Sequence, residues 1–364
     1  MEEQLRKIGS TLALSLVAFM NVVSAVDDMQ MRNLENRVSS LEKRRGANGM
    51  INPPARPVVK DGVDLWIQGE ALLMKVTEDG LSYAILTNNN AIPPNVGLSG
   101  NVQDLEYSWN WGFRFGVGYN LPHDGWDLLL NWTWFRSSNS EFESTPFSRS
   151  IDQTYTGFFP FSTQVGFAKG RSHLHFDFLD FEMGREFFVS KWLTLRPFMG
   201  ARGTWVTRTF KIKYSRPENQ SFDYLKDELQ SRFRGGGLRL GLDTQWGLGC
   251  GWSFFAGGAA SLIYGNQKLH QYQISYLSGN GAKYLNVYHN WLALRFLTDL
   301  GTGLRWDHLF CEDRYRIRLQ LQWEEHLLIG FNKDMNFSSE SVKFDASRGD
   351  LGFSGPSFQM RFDF

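Results

Sequence analysis

Cysteine is nearly missing from this chain, with only Cys250 and Cys311 among 364 residues. Two cysteines cannot make a disulfide framework. Neither stands in a CxxC, and no His/Cys cluster has zinc spacing, so no metal site is expected. Net charge is missing too: Lys plus Arg and Asp plus Glu balance at 38 each, which argues for no nucleic-acid partner. After the first 25 residues there is no apolar run of the ~20 residues that a membrane helix needs, and mean hydropathy is −0.33. No HExxH, EF-hand loop or nucleophile elbow occurs. Gly235-Gly236-Gly237 precedes a strand pattern rather than a helix, so it is no phosphate loop and no cofactor is expected.

What is present in excess is aromatic: 15% of residues, including 13 Trp and 30 Phe, beside 36 Gly. The last eight residues alternate without a slip. Phe358, Met360, Phe362 and Phe364 fall on one side, Gln359, Arg361 and Asp363 on the other. Period two marks a strand with unlike faces. Such a strand at the end of the chain fits the closing strand of a β-barrel whose apolar side faces lipid. Its four apolar residues also resemble the terminal signal read by the outer-membrane insertion machinery.

The same alternation recurs upstream. Tyr107 to Tyr119 places Trp109, Trp111, Phe113, Phe115 and Val117 on one face. After Pro122-His123-Asp124-Gly125, Trp126, Leu128, Leu130, Trp132 and Trp134 repeat it. Similar rows follow at Leu193–Thr209, Leu238–Leu248, Trp252–Tyr264, Leu292–Trp306 and Tyr315–Trp323. In His173–Phe187 the apolar phase changes between Phe178 and Leu179, which suggests a β-bulge. Aromatics stand at both ends of the apolar rows, where two membrane interfaces would lie. The expected fold is all-β, a transmembrane antiparallel up-and-down barrel of about ten strands over residues 64–364. Short periplasmic turns alternate with long extracellular loops near 76–105, 137–170, 210–232, 266–287 and 329–351. An extra hairpin from Ser82–Leu86 or Ser341–Phe344 would make twelve strands.

Before the barrel, residues 1–25 read as a secretory signal peptide: Arg6 and Lys7, an apolar run from Ile8 to Met20, and small residues at Val23-Ser24-Ala25. Residues 26–45 read as a short periplasmic helix. Met31, Leu34, Val38 and Leu41 have heptad spacing, either a small coiled coil joining protomers into a homo-oligomer or a solvated linker helix. Residues 46–63, with Pro53, Pro54 and Pro57, form a linker.

The faces opposite the apolar rows would line the barrel. They carry Arg114, Arg196, Arg202, Arg239, Arg295, Arg305, Arg314, Arg316 and Arg318 against Glu70, Glu182, Asp243, Asp299 and Glu324. So many inward charges need water or partners. Either an aqueous, anion-favouring channel or an interior knitted shut by ion pairs satisfies them. We take a narrow, partly filled pore as the expectation. His173, His175, Asp177 and Asp180 cluster at the start of the fourth strand, with His289 near the loop end of the eighth. They offer a rim hydrolase, but polar rim residues explain them without catalysis, and the protein is expected not to be an enzyme. Cys250 and Cys311 both fall in short turns on the periplasmic side, where an intrachain bridge, an interchain cross-link and free thiols are all open.

Three stretches resemble a known family. Leu65-Trp66-Ile67-Gln68-Gly69-Glu70-Ala71-Leu72-Leu73, followed by Glu78-Asp79-Gly80-Leu81-Ser82-Tyr83-Ala84, is similar to its first-strand signature. Trp111 to Tyr119 running into Gly125-Trp126-Asp127 is similar to its second hairpin, and Arg196-Pro197-Phe198-Met199-Gly200-Ala201-Arg202-Gly203 to a mid-barrel strand. The family is that of the pore-forming outer-membrane proteins of the Legionella major outer-membrane protein type, which includes MOMP-like proteins of chlamydia-related bacteria. The resemblance covers about 65–364 and implies a pore-forming barrel of the Gram-negative outer membrane, with no catalytic residues to transfer. The expected function is a porin that passes small hydrophilic solutes and ions. A structural or adhesive surface protein is the alternative, and the rim hydrolase a third. Outer-membrane lipid and the insertion machinery are the expected partners.

Overall fold

The computed structural model describes residues 55–56, 58–87, 100–122, 124–144, 150–153, 164–215, 224–277, 280–337 and 344–364. The proposed signal peptide, the 26–45 helix and the first half of the linker lie outside them. Ten long strands carry the fold: β1 (Leu65–Glu78), β2 (Asn110–Asn120), β3 (Trp126–Ser144), β4 (Phe167–Arg185), β5 (Leu193–Ser215), β6 (Tyr224–Gly249), β7 (Trp252–Leu277), β8 (Asn280–Phe310), β9 (Tyr315–Phe337) and β10 (Phe344–Asp363). Each pairs antiparallel with its sequence neighbours, and β10 pairs with β1 from Trp66↔Asp363 to Glu78↔Leu351, closing the ring. A two-residue strand, Phe187–Phe188, adds to β5 at the periplasmic edge.

The register fixes the barrel's shape. Paired residues can be followed from Gly247 through Ser253, Arg305, Gln320, Gln359, Glu70, Arg114, Thr133, Phe178 and Thr204 to Gly235. The path returns to β6 twelve positions from its start. Ten strands with that stagger tilt by about 40°, within the usual barrel range.

Outward positions are the apolar rows read from the sequence, with Leu238, Leu240, Leu292, Leu300 and Leu321 among the exposed side chains. Trp246, Trp252 and Tyr315 are exposed at the short-turn end. Trp109, Trp111, Trp205 and Tyr264 are exposed about ten residues further along. Two aromatic girdles thus bound one apolar belt, because an indole or phenol can sit half in lipid and half in headgroups.

Some expectations change. β4 keeps one register throughout against both neighbours, so no bulge exists. The apparent phase change arises because Leu174, Phe176 and Phe178 face a packed apolar interior, while Leu179, Phe181 and Met183 face lipid. Three of the five long loops are largely strand. The β5–β6, β7–β8 and β9–β10 hairpins continue past the outer girdle, leaving only residues 216–223, 278–279 and 338–343 between them. Tyr107 belongs to no outward row. It is buried, and its hydroxyl donates to Glu78 at 2.9 Å and accepts from the Ser172 hydroxyl at 2.5 Å. Ser82–Thr87 does not join the barrel. It pairs with Gly100–Asp104 and Ser150–Gln153, which pairs with Gln164–Val165, in a separate four-stranded sheet.

Gly235, Gly236 and Gly237 lie inside β6, not before it. A Cβ at Gly237 would stand 1.9 Å from the Leu262 carbonyl oxygen, and one at Gly265 would stand 2.3 Å from that of Arg234. The neighbouring backbone is what occupies the space, so no side-chain shift relieves the clash. We expect Gly237→Ala to destabilise the barrel by about 1–3 kcal/mol, read as an earlier loss of the heat-modifiable band on electrophoresis.

The interior has two sections. At and beyond the outer girdle lies a dry apolar cluster that includes Leu72, Met74, Phe135, Phe176, Phe178, Phe353, Leu328 and Phe331, all nearly inaccessible. Leu81, Tyr83, Ala84, Leu105, Ile151 and Val165, from the small sheet and the chain beside it, belong to the same cluster and cap the outer end. The Tyr214 hydroxyl donates to the Tyr83 carbonyl at 2.8 Å across this junction. Nearer the periplasm the interior is charged. Below it, residues 55–56 and 58–64 run along the periplasmic mouth. The Ala55 amide donates to the Glu186 carbonyl, Arg56 donates to the carbonyls of Trp126 and Leu121, and the Lys60 amide donates to that of Asp313. Those contacts touch turns on opposite sides of the ring.

Candidate functional site

Alternate residues of every strand point inward, so the polar faces read from the sequence meet on the barrel axis within the membrane section. One group joins β1, β2, β9 and β10. Arg114 donates to Glu70 at 2.6 Å and to Glu324 at 2.8 Å, and the Ser357 hydroxyl lies 2.7 Å from both carboxylates. His326 then bridges to β8, at 2.9 Å from Glu324 and 2.6 Å from Asp299. Asp299 also accepts from Arg202 at 2.8 Å and from Arg239. Arg202 grips Asp180 with two bonds, 2.6 and 2.7 Å, and Arg239 reaches Glu182 at 3.0 Å. Arg196 links Asp127 at 2.5 Å with Asp243 at 3.1 Å. Closest to the periplasm, Asp307 accepts from Arg316 and, at 2.8 Å, from Arg318, while Arg361 pairs with Asp363 at 2.5 Å and covers the Trp66 ring.

β7 answers this with small inward residues, Gly257 and Ala259, and space remains beside them. A cavity of about 220 Å³ lies along the axis, bordered by nine arginines and seven carboxylates. That is room for several waters among charges able to orient them. Arg305 borders it without a carboxylate partner among the described residues. It donates to the amide oxygens of Gln320 at 2.9 Å and Gln245 at 2.7 Å.

Of the lining residues read from the sequence, Arg114, Arg196, Arg202, Arg239, Arg305, Arg316, Arg318, Glu70, Glu182, Asp243, Asp299 and Glu324 come together in this interior. Arg295 faces inward but above the cavity, donating to the Gly330 carbonyl and to Gln267. Arg314 is a correction: it is exposed in the turn before β9, where the strand alternation has not yet begun. The sequence reading missed His326, which continues the inward row of β9 two positions past Glu324; extending that row would have found it. It also missed Asp307 and Arg56, which lie in stretches read as turn and linker.

The rim cluster separates. His173, His175 and Asp177 face outward, Asp177 accepting from Arg136 at 2.9 Å, whereas Asp180 points inward to Arg202. His289 stacks on Trp291. No metal-binding group occurs among the described residues. Cys250 and Cys311 sit exposed in the β6–β7 and β8–β9 turns, both with positive φ, and no disulfide joins them. Phe358 and Met360 face outward on the closing strand, whose last residue donates from the Phe364 amide to the Leu65 carbonyl at 3.0 Å.

A closed ring of antiparallel strands, with an apolar belt between aromatic girdles and a charged interior, is an outer-membrane β-barrel. Residues 56–364 match the family of the Legionella pneumophila major outer membrane protein precursor, and the chain belongs to that family. Its place is therefore the bacterial outer membrane. No curated protein matches it in sequence. Among solved structures it is similar to the Escherichia coli outer membrane protease OmpT, at 8% identity, covering 84% of this chain and 97% of that one with a TM-score of 0.37. It is also similar to a Pseudomonas aeruginosa FadL homologue, at 8% identity over 82% and 89% of the chains, TM-score 0.27. The Pseudomonas putida toluene transporter TodX matches at 7% identity over 86% and 93%, TM-score 0.22.

Proposed function

We propose that the chain is a porin with a closed resting state, passing small hydrophilic solutes and ions through its arginine-rich lumen when the apolar section at the outer end parts. The observation that supports this is the contrast within one barrel. Above the girdle the interior is largely apolar, broken by the buried Arg208–Glu78 pair at 2.7 Å and by the buried amides of Gln267, Gln271 and Gln273. Within the membrane section it keeps charge around a cavity of about 220 Å³. Buried ion pairs stabilise no better than well-packed apolar residues of similar volume. A purely structural interior would gain nothing by changing from one kind of filling to the other. Charge lining a water-sized space is what solute passage uses, and an apolar constriction is a recognised gate.

The filled outer section favours a second reading, in which the barrel anchors its projecting hairpins as a structural or adhesive surface. Catalysis has less behind it, since His173, His175 and Asp177 face away from the interior, and we propose no enzymatic role. Recordings of the full chain in planar bilayers decide between pore and anchor. Discrete openings are expected. Silence after verified incorporation removes the pore and leaves the surface reading.

A further inference from the structure

The wall of the barrel just outside the upper girdle is strongly lopsided in charge. Above Trp134 and Trp205, a lateral row crosses β3 to β7: Arg136, His175, Thr207, Arg232 and Lys268, each paired with the next. All five face outward. Arg234 stands beside Trp205 one step nearer the membrane, and Arg171 and Lys169 continue the basic face outward on β4. Lys211, Lys213 and Lys226 extend it over β5 and β6. Among the described residues nine cations thus share this wall with two outward carboxylates, both already engaged. Asp177 is held by Arg136 at 2.9 Å, and Glu228 by Lys211 at 3.2 Å and Lys226 at 3.1 Å. Lys169, Arg171, Lys213, Arg232, Arg234 and Lys268 are exposed and form no ion pair with another described residue. The opposite wall at this level carries instead the exposed Glu325 and the Lys75–Glu106 pair at 3.2 Å.

Position limits what can neutralise this face. It is continuous with the lipid-facing belt below, where Leu238, Leu240 and Leu262 are exposed, and it begins at the aromatic girdle, hence at headgroup level. A ligand there must be anionic at one end and apolar at the other. Lys and Arg can lay their stems on the wall and direct their charges to a phosphate. We propose that the outward wall of β4 to β7 binds the phosphate groups of phosphorylated glycolipids of the outer leaflet.

The full chain in non-ionic detergent, titrated with diphosphoryl lipid A and with its dephosphorylated form and read by native mass spectrometry, tests this. The phosphorylated lipid is expected to bind at least about tenfold more tightly. The variant R232Q/R234Q/K268Q is expected to lose on the order of a hundredfold in affinity for it, at about fivefold per surface cation. K75Q, on the opposite wall, is expected to bind as the native chain does. If the triple variant fails to fold, R232Q alone is expected to show the fivefold loss. Equal binding of the two lipids, unchanged affinity in a folded triple variant, or an equal loss in K75Q overturns the proposal. So does full displacement of the lipid by millimolar inorganic phosphate, which would mark a site for free anions.

Discussion

Asp299→Asn is expected to cost the barrel about 3–5 kcal/mol, more than any other single charge removal in the interior. The side chain hardly changes shape, so packing is preserved and the effect is electrostatic. In the native chain Asp299 is the carboxylate shared by Arg202, Arg239 and His326. It is 7% exposed, so solvent can replace little of what is lost. Arg239 keeps Glu182 and Arg202 keeps Asp180, but two guanidinium groups then face each other without the anion between them. Asp177→Asn is the matched control. That carboxylate also accepts from one arginine, Arg136, yet both side chains are about a quarter exposed. Water replaces the lost partner there, and the expected change is below about 1 kcal/mol. Urea unfolding of the two variants from lipid vesicles, followed by tryptophan fluorescence, measures both. Equal effects would mean that the interior is wet enough to screen its charges and that no shared-carboxylate hub exists.

The parts of this arrangement legible in the sequence were those written at period two. Strand count, closure by the last strand and the inward rows of arginine all follow from alternation, because adjacent residues of a strand must face opposite sides. The row Arg316, Arg318, Gln320, Gln322, Glu324 on β9 is the plainest case. What alternation does not encode is what stands across the lumen. Arg196 could be assigned inward, but nothing in its neighbourhood announces Asp127, 69 positions earlier, as its partner at 2.5 Å. The shift at Phe178 shows the same limit from the other direction. Apolar residues on an inward face look like a slipped register when the interior is taken to be polar throughout. The change from charged to apolar filling along one strand is a property of the closed barrel, and a single strand carries only its own share of it. The projecting hairpins escaped for a related reason. Above the girdle both faces of each strand are mixed, as in Lys268–Tyr276 of β7, so the apolar row that marked a strand ends before the strand does.

Phe176→Ala combined with Phe353→Ala is expected to open the barrel. The two rings meet at 4.4 Å between centroids, Phe176 also lies 4.7 Å from Phe178, and Phe135 packs 5.3 Å from Phe176. The four rings come from β3, β4 and β10, so they hold separate parts of the wall to one plug where the charged lumen ends. Each truncation costs about 3–5 kcal/mol of folding stability. The part that matters for conduction is the share lost by the closed arrangement alone. If the open arrangement already has these rings apart, about 1.4 kcal/mol of that share multiplies the open fraction tenfold. Single-channel recordings of the double variant should therefore show openings far more often than the native chain, with unchanged ion preference, because the arginines of the cavity are untouched. Leu240→Ala, which trims a lipid-facing side chain at the height of the cavity, should leave the openings as they were. A double variant that retains the heat-modifiable fold and shows no openings at all would show that no continuous path lies beneath the plug. The charged interior would then be an internal brace for the hairpins above it.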